Sequence, residues 1–159
     1  IGLGAIGRRV AEIARAFGAK VIYYSASGAP AQEGYEQVDF ETLLTQSDII
    51  SVHAPLNEHT EGLINSKAFE KMKSSCIFLN LGRGPIVDEQ ALYNALVRNQ
   101  IAAAGLDVLC KEPMSADNPL LKIKDSKRLL ITPHIAWASV EARTHLMEII
   151  HGQVKDFFA

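Results

Sequence analysis

The chain has 159 residues, 48% of them hydrophobic and 21% charged, with a formal net charge of −2. Such a chain can bury one sizeable core, which excludes a disordered segment, and its balanced charge without a basic tract argues against nucleic acid as the main partner. No run approaches the roughly 18 apolar residues of a membrane span and no secretory leader is recognisable, so neither membrane nor export is expected and the location is read as cytoplasmic.

In chain order, the sequence opens inside a glycine-rich turn, Gly2-Leu3-Gly4-Ala5-Ile6-Gly7. Only Ile1 and Leu3 remain to represent the strand that such a turn follows, so the sequence is read as a piece of a longer protein with its first strand cut short. Residues 8–17 carry Val10, Ile13, Ala14 and Phe17 at helical spacing and stop at Gly18. A strand is expected at 21–24, then a long loop over 26–37. A short helix over 40–45 precedes a strand at 49–53, which Pro55 breaks. Residues 65–72 read as a helix and 76–81 as an apolar strand ending at Gly82. Asp88 is placed to cap a helix over 88–97, with Ala91, Leu92, Ala95 and Leu96 as its inward stripe. Strands at 101–106 and 129–132 flank a second long loop, 111–127. A helix over about 139–157 closes the chain and is long enough to run past the body of the domain.

Strand-length runs alternating with helices are the signature of parallel strands joined by helical crossovers. The fold class is therefore α/β, a doubly wound parallel sheet of the Rossmann type, in a single dinucleotide-binding domain over residues 1–159. Cys76 and Cys110 lack metal-ligand spacing, so both are read as structural thiols, and neither a metal site nor a disulfide is expected.

The G-x-G-x-x-G at Gly2, Gly4 and Gly7 allows a tight turn, close approach of a pyrophosphate and close helix packing, while the helix amides of Ala5 and Ile6 face the phosphate charge. An acid is expected after the second strand to bind the ribose hydroxyls, yet Ser25-Ala26-Ser27-Gly28 stands there. Ser25 neither repels a 2′-phosphate nor has a neighbouring base in sequence to attract one. NAD is thus favoured, with NADP not excluded.

Doubly wound sheets hold ligands outside the carboxyl ends of their strands. Arg83 follows one strand between two glycines, where a guanidinium projects freely and grips a carboxylate through two parallel hydrogen bonds. Glu112 and His134 follow the next two strands. A carboxylate beside an imidazole fixes the ring and favours its protonated form, which suits a proton donor to a carbonyl. Each residue also has an ordinary reading, as a loop ion pair, a solvated acid or a core histidine; it is their concurrence beside a nucleotide loop that points to catalysis. His53, before Ala54-Pro55-Leu56, is a rival acid or base read as part of the cofactor wall. His59, His145 and His151 are assigned to the surface or to helix packing, and Trp137 either to packing or to the site.

Taken together, Gly2 to Gly7, HAPLNEHTEGLIN at 53–65, NLGRGPIVD at 80–88, GLDVLCKEP at 105–113 and TPHIAW at 132–137 resemble the nucleotide-binding domain of the D-isomer-specific 2-hydroxyacid dehydrogenase family. The resemblance covers nearly the whole chain. It implies Arg83 as the substrate-carboxylate arginine, His134 as general acid/base, Glu112 as its partner and Asp107 as a residue facing the nicotinamide end. It further implies cofactor contacts from Gly2, Gly4, Ala5, Ile6, Gly7, Ser25, His53, Ala54, Pro55, Thr60, Leu81, Gly82, Arg83, Asp107, His134 and Ala136. Glutamate at 112 resembles the hydroxyacid enzymes rather than the formate dehydrogenases, and His134-Ile135-Ala136-Trp137 is most similar to glycerate dehydrogenases, also called hydroxypyruvate reductases.

The expected reaction is reversible reduction of a small 2-keto acid, hydroxypyruvate foremost, to its D-2-hydroxy acid. The family's substrate domain is formed by segments outside this one, so the chain alone is expected to bind cofactor without turnover, with its last helix leading toward that domain. The apolar residues of that helix exceed what a solvated helix needs, which points to domain contact or dimerisation, and the resemblance implies a homodimer formed through this domain. A second reading keeps the nucleotide site but makes the protein an NAD(H)-sensing interaction module resembling dehydrogenase-like corepressors. A methyltransferase-like domain would leave Arg83, Glu112 and His134 without purpose.

Overall fold

A computed structural model describes residues 1–158. Helix α1, Ala5–Ala16, starts directly from Gly4 and is followed by β1, Ile22–Tyr23, and β2, Glu36–Gln37. Then come α2 (Phe40–Gln46), β3 (Ile49–Val52), α3 (Ser66–Lys71), β4 (Ile77–Asn80), α4 (Glu89–Val97), β5 (Ala103–Leu106), β6 (Leu129–Ile131) and α5 (Val140–Phe157). Short 3-10 turns at Gly84–Ile86 and Pro119–Lys122 interrupt the loops after β4 and β5.

All pairings are parallel. β3, β4, β5 and β6 form one sheet in that order, with Ile49 opposite Ile77 and Ile77 opposite Ala103, while β1 and β2 form a second pair. Residues 1–3 join the two. Ile1 donates to the Ser51 carbonyl (2.7 Å) and accepts from His53 N–H (2.8 Å), while Gly2 N–H donates to the Tyr24 carbonyl (2.9 Å). The glycine turn therefore emerges at the carboxyl edge of the sheet, between β1 and β3, where the order of connection reverses and doubly wound folds place ligands.

Helices α2 to α5 begin where short polar side chains accept from free amides of the first turn: Asp39 from Thr42, Asn65 from Ala68, Asp88 from Ala91 and Ser139 from Ala142. The main core is a cluster centred on β3 to β5, where Val52, Phe78, Phe69, Leu92 and Ile101 are fully buried, and a smaller one gathers Leu3, Ala11 and Tyr23. The stripe expected on α4 is buried as read. On α1 it is not: Gly7 and Ala11 are buried, whereas Ile13 and Phe17 are 53% and 88% exposed. Close helix approach selects small residues there, and periodicity of large apolar ones does not register that face. No residue of α5 is buried, and no helix is long and apolar enough to cross a membrane among the described residues.

Candidate active site

The glycine turn is shaped by what its residues lack. Gly2 has φ +84°, and a Cβ there would lie 2.9 Å from the Ala54 nitrogen. A Cβ on Gly7 would collide with the Gly2 carbonyl oxygen, so the first helical turn folds back on the loop that opens it. Around Gly4 there is open space, α1 has no side-chain cap, and no acid lies in its first turn. This is a cradle with free amides and a positive helix end, and it fits a dinucleotide pyrophosphate. Ser25 and Ser27 stand beyond β1 with their hydroxyls 3.1 Å apart.

The wall opposite the turn is the segment after β3. His53 Nε2 is 2.9 Å from Ser51 Oγ, and its buried Nδ1 has no partner among the described residues. Burial lowers this imidazole to about 4, which favours its neutral form near pH 7. Thr60 is buried, its hydroxyl donating to the Pro55 carbonyl (2.6 Å) and accepting from Asn57 N–H (2.9 Å). It therefore acts on the wall by holding the loop that carries Ala54 and Pro55.

At the end of β4, the buried Asn80 builds the next loop. Its side chain accepts from Gly82 N–H (3.1 Å) and donates to the Arg83 carbonyl (3.0 Å), presenting Leu81, Gly82 and Arg83 at the strand end. The Arg83 guanidinium rests on the Gly82 carbonyl at 2.8 Å and has no carboxylate partner among the described residues. Reading by residue type overlooked Asn80 as a site-building residue, although it begins the NLGRG stretch.

His134 Nδ1 lies 2.8 Å from Glu112 Oε2, and both side chains are 38% exposed. Two groups 22 positions apart thus meet as the spacing of strand ends predicts. Glu112 Oε1 accepts from Leu109 N–H (2.8 Å); that amide first, and His134 second, hold its carboxyl below the usual carboxylate range. With Nδ1 committed to Glu112, Nε2 is the ring atom that can serve a substrate. His134 itself has φ +55°, an uncommon conformation for a non-glycine residue.

That turn is organised by Asp107, at the end of β5. Its carboxylate accepts from the Thr132 hydroxyl (2.6 Å) and from the amides of Ile135 (2.9 Å) and Ala136 (2.8 Å). Burial pushes the Asp107 carboxyl up, but these donors together outweigh it and hold it low. Trp137 is 54% exposed, so it is not a core residue, and its indole N–H donates to the His134 carbonyl at 2.8 Å. Beside the pair opens a largely apolar cleft of about 810 Å³, lined by Leu109, Met114, Leu120, Ile131 and Pro133 among others. Cys76 and Cys110 are both free, the first buried and the second exposed; burial first, and at Cys110 the Glu89 carboxylate next, push the thiols up to about 11. His59 and His145 are exposed as expected.

Comparison with known proteins identifies the family. The family profile described as D-isomer specific 2-hydroxyacid dehydrogenase, NAD binding domain, matches residues 1–136. The hydroxypyruvate reductase of Blautia hydrogenotrophica is 45% identical over 99% of this chain and 48% of its own length. An acyclic imino acid reductase, Bsp5, solved with NADPH and D-Arg, superposes with a TM-score of 0.88 at 39% identity, over 99% of this chain and 49% of that one. The D-lactate dehydrogenase of Aquifex aeolicus, solved with NAD and lactic acid, gives 0.89 at 32% identity, over 99% and 51%. The chain thus spans about half the length of the relatives it matches.

Proposed function

The chain belongs to the D-isomer-specific 2-hydroxyacid dehydrogenase family, and from that premise we propose that the whole protein interconverts a small 2-keto acid and its D-2-hydroxy acid, hydroxypyruvate and D-glycerate being the favoured pair. The observation that carries this reading is the His134–Glu112 pair at 2.8 Å beside a loop that offers Arg83 without an acidic partner. Arg83 binds the substrate carboxylate, and the flanking glycines let its guanidinium turn toward it. His134 holds a proton on Nε2 and passes it to the carbonyl oxygen as that oxygen gains charge, while Glu112 fixes the ring from Nδ1. In the reverse direction the same nitrogen takes the hydroxyl proton. A nicotinamide cofactor, when bound, supplies or accepts the hydride. Gly2, Gly4, Gly7 and the amides of Ala5 and Ile6 would hold its pyrophosphate, Ser25 its ribose, and the segments at His53–Pro55 and Leu81–Gly82 its flanks.

NAD is favoured over NADP, since the Ser25 loop offers hydroxyls and no adjacent base in sequence. The similarity to the hydroxypyruvate reductase of Blautia hydrogenotrophica supports the substrate choice. The protein is proposed to act in the cytoplasm as a homodimer, and the exposed apolar residues of α5, among them Leu146, Ile150 and Val154, support an apolar contact there. The test is oxidation of NADH and NADPH by the full-length protein with hydroxypyruvate, glyoxylate, pyruvate and 2-ketoisocaproate. Fastest turnover with hydroxypyruvate and NADH is expected. Tight NADH binding without turnover on any of them would favour the sensing module instead.

A further inference from the structure

Glu89, the first residue of α4, is used by none of the chemistry above, yet its carboxylate reaches across to the loop that carries Glu112. Oε1 accepts from Cys110 N–H at 2.8 Å, and Oε2 accepts from the Asn118 side-chain amide at 2.8 Å. Asn118 is buried, and its own carbonyl oxygen accepts from Leu120 N–H at 2.9 Å, which orients the amide and opens the 3-10 turn Pro119–Lys122. One carboxylate thus ties both ends of the segment 110–118 to a helix that is itself embedded in the core. From the other side, Gly84 abuts the Leu109–Cys110 peptide so closely that a Cβ would collide with the Leu109 carbonyl carbon and oxygen. The loop bearing Arg83 and the loop bearing Glu112 therefore rest against each other, and the tether at Glu89 keeps them there.

We propose that Glu89 is a positioning residue, which with Gly84 holds the Glu112 loop so that Glu112 orients His134 at a set distance from Arg83. This rests on the reading of Glu112 and His134 as the proton-delivering pair. A tether of this kind acts by geometry: displacement of a reacting group by about 1 Å can cost roughly a hundredfold in rate. Both hydrogen bonds also involve a charged acceptor, which makes them stronger than neutral ones and harder for a neutral side chain to replace. Glutamine at 89 keeps one acceptor but turns an amide donor toward either Cys110 N–H or Asn118; alanine keeps neither.

The test uses the full-length protein with the substitutions Glu89→Gln, Glu89→Ala and Gly84→Ala, beside wild type and His134→Ala. Hydrogen exchange reads the loop directly: residues 109–118 are expected to exchange faster in Glu89→Ala while the peptides of β3 and β4 stay unchanged. In turnover, kcat is expected to fall about tenfold in Glu89→Gln and about a hundredfold in Glu89→Ala, with NADH affinity within about twofold of wild type. The acid limb of the pH–rate profile separates positioning from general destabilisation. Glu112 owes its lowered carboxyl to Leu109 N–H and His134, so a released loop moves that limb to higher pH, whereas a merely weaker fold leaves it in place. Wild-type exchange in Glu89→Ala, or faster exchange with unchanged kcat and an unmoved limb, overturns the inference and leaves the catalytic reading standing. A wild-type protein without turnover, or a fully active His134→Ala, overturns the catalytic reading and this inference with it.

Discussion

The two halves of the site are built by opposite means. The glycine turn at 2–7 is defined by side chains that are absent: Gly2 sits against Ala54, Gly7 against Gly2, and the space over Gly4 is left open. The strand-end half is defined by charged side chains, with Asp107 gathering three donors and Glu112 bridging Leu109 and His134. The difference teaches which perturbation each half resists. A cradle made of backbone is indifferent to pH but intolerant of a single methyl group, whereas a turn held by carboxylates responds to protons.

Several changes would break or sharpen that contrast. The largest effect is expected from His134→Ala in the full-length protein, where kcat should fall by about 100-fold to 10,000-fold, the usual span for loss of a general acid, while NADH affinity stays near wild type. Steady-state kinetics with a direct NADH titration separates the two. Arg83→Lys comes next, because a point charge cannot reproduce a forked contact: kcat/KM for the keto acid should drop about tenfold to a hundredfold, with NADH binding retained. An unchanged kcat/KM would remove Arg83 from the substrate. In the glycine half, Gly7→Ala forces a methyl group into the Gly2 carbonyl, and overpacking of that kind costs about 1–3 kcal/mol. Fluorescence titration should show NADH affinity reduced at any pH, which tests the claim that this half is insensitive to protons.

The smallest effect is in the pH dependence of stability. Asp107 and Glu112 are both held below the usual carboxylate range, so the folded protein binds fewer protons at these groups than the unfolded chain. Their stabilisation is complete above the ordinary carboxylate pKa and is lost as pH falls through the folded, lowered values. Melting curves should therefore show wild type losing Tm more steeply on acidification than Asp107→Asn. At neutral pH the variant should be the less stable by about 1–3 kcal/mol, since Ala136 or Ile135 loses its acceptor.

Much of this was legible because the signals are local. The glycine spacing, the cap at Asp88 with its stripe on α4, and Arg83, Glu112 and His134 at successive strand ends all follow from short patterns, and the structure brings Glu112 onto His134 as read. What escaped depends on contacts between distant segments. The two-residue strand β2 lay inside an expected loop, because it exists only through its pairing with β1. The turn at 119–122 hangs on Asn118, whose partner Glu89 is 29 residues away. The inward face of α1 was misjudged since Gly7 and Ala11, the residues that let the helix approach, carry almost no hydrophobic signal. Asp107 shows a further limit: residue type announces a carboxylate at a strand end, but only the folded turn shows that its oxygens are spent on Thr132, Ile135 and Ala136.

The central claim is that Glu112 and His134 act as one proton-delivering unit, and a double-mutant cycle on kcat in the full-length protein tests it most directly. Residues that work as a unit are strongly non-additive. Glu112→Gln alone should slow hydroxypyruvate reduction, and adding it to His134→Ala should slow the reaction no further. If the two losses multiply, the residues contribute independently and the pair seen at 2.8 Å is not the catalytic unit.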